Sequence, residues 1–304
     1  MSVRILDFDG SVTSQSKLVE QLGSRLEVVD LRALGPAVRY LPSKKSAAEF
    51  DAALSSLGPV DLTFTGSGDF HHATASILRN LGEKLSLIVI DQHSDWIGSS
   101  PCPCGSWLID ALRLPHVARV VVIGTEAKSI EGWKIMHGPV GEILSGRVEL
   151  YPYSARASRC LGRRRGELTC GALRRGMFWT DLHWHTVADN DWASLISRII
   201  DGLPTSSVYL SIDKDCLTTE HALTNWGNGR LTLDRVLEAV RMFAQRARIV
   251  GADITGEYSP IQVENRLMMA MALKIHPKVP DPKPDELTRN EDTNLALVEA
   301  FGFC

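Results

Sequence analysis

Along this chain, short apolar runs alternate with amphipathic stretches, and the alternation persists through most of the length. Leu85–Ile90 (LSLIVI) carries no charge and is rich in β-branched residues, as a strand buried on both faces of a parallel sheet would be. Val3–Phe8, Val60–Thr65, Ala118–Ile123, Ser207–Ile212 and Arg248–Ile254 are further apolar strand candidates, and Glu27–Leu31 and Arg147–Tyr151 are shorter ones. Leu18–Leu26, Ser46–Leu57, Ala73–Leu81, Trp192–Ile200 and Leu233–Ala247 predict helices between them. In the last of these, Leu233, Val236, Leu237, Val240 and Phe243 fall on one stripe. Alternation of this kind predicts an α/β fold with a parallel sheet and helices on both faces. A helix at Gln262–Lys274 closes the body, so residues 1–275 read as one domain. Residues 276–304 read as a proline-rich linker and a helical tail, with a terminal helix at Asp292–Phe301 that docks on the body or on a neighbouring subunit.

Composition narrows the function classes. With 304 residues and 44% apolar content the chain can bury a large core. A net charge of -3 gives no electrostatic case for nucleic acid. The start lacks a basic segment followed by a long apolar one, and no apolar run approaches a membrane span, so a cytoplasmic protein with no membrane partner is expected. Six cysteines in this length do not make a disulfide framework. The segment 156–175, with RRR at 163–165 and RR at 174–175, reads as a solvated excursion or a cover for the pocket.

The chemistry gathers where apolar runs end. Leu85–Ile90 runs into Asp91, His93 and Asp95, whose alternate spacing points all three one way if the chain stays extended. Val60–Thr65 runs into GSGDFHH, which puts His71 and His72 between a strand end and a helix start. Ser207–Ile212 ends in Asp213-Lys214-Asp215, and Arg248–Ile254 leads to Thr255-Gly256-Glu257. Carboxylates and imidazoles so close together are costly to hold without a cation. Polar residues at the carboxyl ends of parallel strands also lie where open α/β sheets bind ligands. A competing motif sits at the start: RILDFDGSV resembles the first motif of haloacid-dehalogenase-type phosphatases, but no convincing partner set follows it.

Taken in order, GDFHH, DQHSD, SIDKD and TGEYSP resemble the ureohydrolase family of arginase, agmatinase and their relatives, over about Gly66 to Pro260. The resemblance implies a three-layer α/β/α sandwich around a mostly parallel eight-stranded sheet. It implies two Mn²⁺ per subunit. Asp91 and Asp213 would bridge them, Asp95 with His71 or His72 would complete the first site, and His93 with Asp215 would complete the second. A donor set so rich in oxygen suits Mn²⁺. Two ions about 3.5 Å apart would share a hydroxide that attacks a small guanidino or amidino substrate and breaks a linear C–N bond, releasing urea or a urea analogue. Asp95 would shuttle the proton, and Glu257 would hold the guanidinium. Assembly as a homo-oligomer, trimer or hexamer, is also implied.

This sequence departs from the family pattern in three places. Phe70 and the second histidine leave the choice between His71 and His72 open. Cys104, in Pro103-Cys104-Gly105, stands where arginases keep a shuttle histidine; a thiol with a pKa near about 8.5 is a different tool, and His183 or His185 are the candidate replacements. Cys102 completes a C-x-C with Cys104. Gly256 lengthens the segment before Glu257, and Thr224-Asn225-Trp226-Gly227 replaces the usual Asp-Pro and Pro-Gly elements, so Asn225, Trp226 and Trp96 are expected to shape a different substrate pocket. Two alternatives stand beside the two-metal hydrolase: a deacetylase-like amidohydrolase with a single metal, and a non-catalytic relative that keeps the scaffold.

Overall fold

The computed structural model describes residues 2–97, 103–276 and 282–302. In chain order the elements are β1 (Val3–Asp7), α1 (Ser16–Leu22), β2 (Leu26–Asp30), α2 (Gly35–Val38), α3 (Lys44–Ser55), β3 (Leu62–Ser67), α4 (Ala73–Arg79), β4 (Leu85–Ile90), α5 (Trp107–Leu112), β5 (Val117–Ile123), α6 (Val140–Leu144) and β6 (Val148–Tyr151). The chain continues through β7 (Ser158–Leu161), β8 (Gly166–Leu168), β9 (Gly171–Arg175), β10 (Trp179–Trp184), α7 (Trp192–Asp201), β11 (Ser207–Asp213), α8 (Leu233–Arg246), β12 (Arg248–Glu257), α9 (Arg266–Ile275) and α10 (Pro284–Ala300).

Eight strands form one sheet in the order β2-β1-β3-β12-β11-β4-β5-β6, and every pairing in it is parallel. β3, β4 and β11 are buried along their whole length, because helices cover both faces. The largest core cluster runs through these strands and takes in the apolar stripes of α7 and α8. A second cluster packs Leu6, Phe8, Phe50 and Phe70 under α2 to α4. Ser43 caps α3 by accepting from the amide of Ser46 at 3.1 Å. Asp191 does the same for α7 through Ser194, at 2.9 Å.

Residues 156–175 are not a solvated excursion. β7, β8 and β9 join β10 in a four-stranded antiparallel sheet, in the order β7-β10-β9-β8, inserted between β6 and α7. The strands are short and alternate, with Ser158 and Cys160 buried and Arg159 and Leu161 turned outward. Arg163–Arg165 lie exposed in the connection between β7 and β8, and Arg174 and Arg175 close β9. The C-terminal helix starts at Pro284, eight residues before the expected position, and buries Leu297 and Val298 against the body. Among the described residues no helix is long and apolar enough to cross a membrane.

Candidate metal centre

Parallel β3, β12, β11 and β4 are neighbours in the middle of the sheet, and their carboxyl ends carry the four polar clusters. β4 and β11 end alike. The amide of His93 donates to Asp91 Oδ1 at 2.6 Å, and the amide of Asp215 donates to Asp213 Oδ1 at 2.9 Å. Such side-chain turns bend the chain sharply at a strand end. Asp91, His93 and Asp95 therefore do not converge by strand alternation. The chain leaves the strand at Asp91, and Asp95 sits at φ 43°, the only non-glycine residue with positive φ among those described.

His71 is the histidine that enters the cluster. Its Nδ1 stands 3.3 Å from Asp91 Oδ2, 3.1 Å from Asp95 Oδ2 and 3.5 Å from Asp213 Oδ2. His72 turns away, stacks on Phe50 with ring centroids 4.7 Å apart and bonds the Asp69 carbonyl at 3.1 Å. On the other side of Asp91, His93 Nδ1 lies 2.8 Å from Asp215 Oδ2 and 3.7 Å from Asp91 Oδ1. Two triads result, His71–Asp91–Asp95 and Asp91–His93–Asp215, with Asp91 common to both and Asp213 beside the first.

The donor set fits cations. Ser211 donates its one hydroxyl proton to Asp253 Oδ1 at 2.7 Å, so at 2.8 Å it must accept from Nε2–H of His71. That leaves Nδ1 facing three carboxylates; burial opposes a charged imidazole, but Asp91 and Asp95 outweigh it and raise His71 well above the ordinary histidine range, so a proton takes the position a cation would fill. Nδ1 and Asp91 Oδ2 are both buried and have no hydrogen-bond partner. Burial, then Asp215 and Asp95, push Asp91 well above the ordinary carboxylate range. Burial, then Asp215, push Asp213 up to about 7. Burial opposes a charged His93, but Asp215 outweighs it and raises that imidazole to about 10. Protons are standing in for a missing positive charge in this cluster. Hard oxygen donors with an imidazole in each triad suit divalent cations, which His71, Asp91 and Asp95 could hold on one side and Asp91, His93 and Asp215 on the other.

Several supporting residues carry no spacing signal. Trp107 donates from Nε1 to Asp95 Oδ2 at 2.7 Å and covers His71 at 4.7 Å between ring centroids. Asp69 takes Nε–H of buried Arg39 at 2.7 Å and Nε1–H of Trp226 at 2.9 Å, and it lies 3.0 Å from His276 Nε2. Arg39 and His276 hold Asp69 well below the ordinary carboxylate range despite its burial. This network fixes the Trp226 indole edge-on to His93, at 5.8 Å. His93 is the most accessible of the ligands, with 30% of its side chain exposed, so the centre opens to solvent beside Trp226.

Other expected site residues lie elsewhere. Glu257 is buried in an ion pair with Lys214, and Asn290 and Asn294 donate to its two oxygens at 2.8 and 2.6 Å. Glu257 pairs with Ser67 and Thr255 with Gly66, so Gly256 is the extra residue of a bulge that aims Glu257 at Lys214. A guanidinium clamp does not fit that placement. At Gly256, with φ +88°, a Cβ would collide with Asp213 Oδ1 and stand 2.7 Å from the Lys214 nitrogen. Asn225 is a brace: its Oδ1 accepts from the Ser259 amide at 2.9 Å and the Ser67 hydroxyl at 3.1 Å, and its Nδ2 donates to the Ser259 carbonyl at 2.9 Å. Trp96 is packed in the core against Gly138. Cys104 packs in a small cluster with Tyr40, Ala272 and Trp226. Cys102 lies outside the described residues. His183 is exposed on β10 of the small sheet, and His185, just after it, bonds through its backbone to Cys170. The phosphatase-like aspartates are also engaged: Arg32 donates to Asp7 at 2.7 Å, and the amides of Ser11 and Ser67 donate to Asp9 at 3.0 and 3.1 Å.

Comparison with known proteins agrees with this architecture. The sequence model of the arginase family matches residues 17–276. A Thermotoga maritima relative described as an uncharacterized protein is 27% identical over 260 residues, which is 86% of this chain and 81% of that one. Arginase from Bacillus subtilis superposes with a TM-score of 0.59 at 15% identity, over 99% of this chain and 98% of that one. Formimidoylglutamase from the same organism gives 0.55 at 14% identity, over 99% and 86%.

Proposed function

This chain belongs to the arginase family, and from that premise we propose that it is a dinuclear-metal hydrolase of a linear C–N bond in a small guanidino or amidino compound. The observation that carries the reading is the bare Nδ1 of His71, facing three carboxylates, with Asp91 shared between that triad and a second one. When bound, a pair of divalent cations supplies a water activated at neutral pH and polarises the amidine carbon.

The chain's own residues do the rest. Trp107 engages Asp95 Oδ2, which leaves Oδ1 to take a proton from the attacking water and return it to the departing amine. Ser211 keeps His71 in the tautomer whose Nδ1 points into the site. Trp226, held by Asp69, presents an aromatic wall beside the exposed edge of His93, a surface suited to a delocalised cation. With Glu257 engaged by Lys214, recognition of the cation falls to that wall.

The test pairs elemental analysis of protein loaded with Mn²⁺ and desalted with assays for urea, ammonia and amine release across guanidino and amidino compounds. About two Mn²⁺ per chain and one turned-over amidine are expected. Fully loaded protein that releases nothing from any amidine would defeat the hydrolase reading. A single tightly held Zn²⁺ would defeat its dinuclear form.

A further inference from the structure

Lys214 lies between two ligands of the centre, Asp213 and Asp215, yet its ammonium is directed away from them, into a fully buried network. Nζ donates to Glu257 Oε1 and, at 2.9 Å, to Asn294 Oδ1. Asn294 Nδ2 donates to Glu257 Oε1 at 2.6 Å and lies 2.8 Å from Gln15 Oε1. Asn290 Nδ2 donates to Glu257 Oε2 at 2.8 Å. Both asparagines belong to α10, which begins beyond residues 17–276 matched by the family.

The same helix grips the loop that carries Trp226. The amide of Leu223 donates to Asn290 Oδ1 and Asn290 Nδ2 donates to the Leu223 carbonyl, each at 2.8 Å. Thr293 donates to the carbonyl of His221 at 2.6 Å, and Arg289 to that of Thr219 at 3.0 Å. One helix therefore touches both the turn bearing Asp213 and Asp215 and the loop that walls the centre.

A buried ion pair is a poor way to gain stability, because an apolar pair of similar volume does as well. What it supplies is direction. A charge hydrogen-bonded on several sides admits one orientation, which an apolar contact does not enforce. We propose that α10 is a positioning element of the metal centre: through Asn290 and Asn294 it fixes the Lys214 turn and the Trp226 loop, and so sets metal affinity. This rests on the reading of the cluster as a metal centre. Glu257 is then a positioning residue, acting through Lys214 on Asp213 and Asp215.

The test uses the full chain with Mn²⁺ alone as the probe. Mn²⁺ titrations, the electron paramagnetic resonance spectrum of the loaded protein and metal-free thermal unfolding are compared across variants. Asn294→Leu and the double variant Lys214→Met/Glu257→Leu are expected to bind Mn²⁺ roughly 10- to 100-fold more weakly, with an altered spectrum. The double variant, which exchanges charge for apolar volume, is expected to unfold near the wild-type temperature. It carries the test should Asn294→Leu fail to fold. Asp292→Ala, on the exposed side of the same helix, is expected to leave the titration unchanged. Wild-type affinity and spectrum in the folded double variant would overturn the proposal. A wild-type protein that binds no Mn²⁺ would remove the metal-centre reading itself, and the two failures are thereby distinct.

Discussion

Nε2 of His71 lies 2.8 Å from Oγ of Ser211, and this contact decides which edge of the imidazole faces the centre. Because the Ser211 proton is directed to Asp253, the hydroxyl can only accept from the ring, and Nδ1 is left as the candidate ligand atom. His71 belongs to GDFHH and Ser211 to SIDKD, but nothing in either motif signals the bond between them. Together they prepare a lone pair for an ion.

Removing that hydroxyl should loosen the ion without unfolding the chain. Ser211→Ala is expected to weaken Mn²⁺ binding by roughly 10- to 100-fold, since partners of metal-bound histidines act at that level. Calorimetric titration beside a circular-dichroism spectrum checks it. Unaltered affinity would mean that His71 keeps its tautomer without help.

Glu257→Ala leaves Lys214 buried without its counter-ion. A broken buried pair costs about 3–5 kcal/mol, so the urea midpoint should fall steeply. Adding Lys214→Met in that background removes the stranded charge and should recover most of the loss. If Glu257→Ala instead unfolds like the wild type and only raises KM, the residue is a substrate clamp after all.

Gly256→Ala should cost both stability and metal. The left-handed backbone alone is unfavourable by about 1–2 kcal/mol for any residue with a Cβ, and the added carbon would displace Asp213 Oδ1. Elemental analysis and thermal unfolding should show both losses together. A variant that keeps its full metal load would refute the crowding argument.

Stability in alkali should depend on Cys170. Burial pushes its thiol from the ordinary value up to about 11. Its folded-state pKa is raised, so the folded chain keeps a proton that the unfolded chain releases. Its contribution is full below about pH 9 and fades as pH rises towards 11. The shift corresponds to about 2–3 kcal/mol. Urea unfolding between pH 8 and 11 should therefore fall more steeply for the wild type than for Cys170→Ala. Parallel curves would remove Cys170 from the account.

The central sheet was legible because strands covered on both faces must be apolar throughout, and LSLIVI and SVYLSI are. The ligand clusters were legible because they sit where those runs stop. The choice of His71 over His72 was not, since it turns on how the chain winds through Gly68–Phe70 before α4. Trp107 gave no signal, because an aromatic at a helix start is more often simply core. The engagement of Glu257 was hidden by distance: its amide partners lie 33 and 37 residues further along. Strands β7 to β9 were missed because they are only three to five residues long and are interrupted by the exposed arginines 163–165, so charge density masked alternation.

The order of the sheet has a consequence for how the protein is made. β3, which leads to His71, and β4, which leads to Asp91 and Asp95, are not neighbours: β12 and β11 lie between them. That separation is three strand spacings, roughly 14 Å. The two strands that fill the gap are the last two of the chain to be synthesised. His93 and Asp215, which meet in the second triad, are 122 residues apart. A nascent chain that has not yet produced β11 and β12 carries four of the six candidate ligands, with His71 not yet joined to Asp91, His93 and Asp95 through the intervening strands. If the cluster holds metal as proposed, the full ligand set exists only in molecules whose sheet is complete, and a tightly held ion would mark a finished fold.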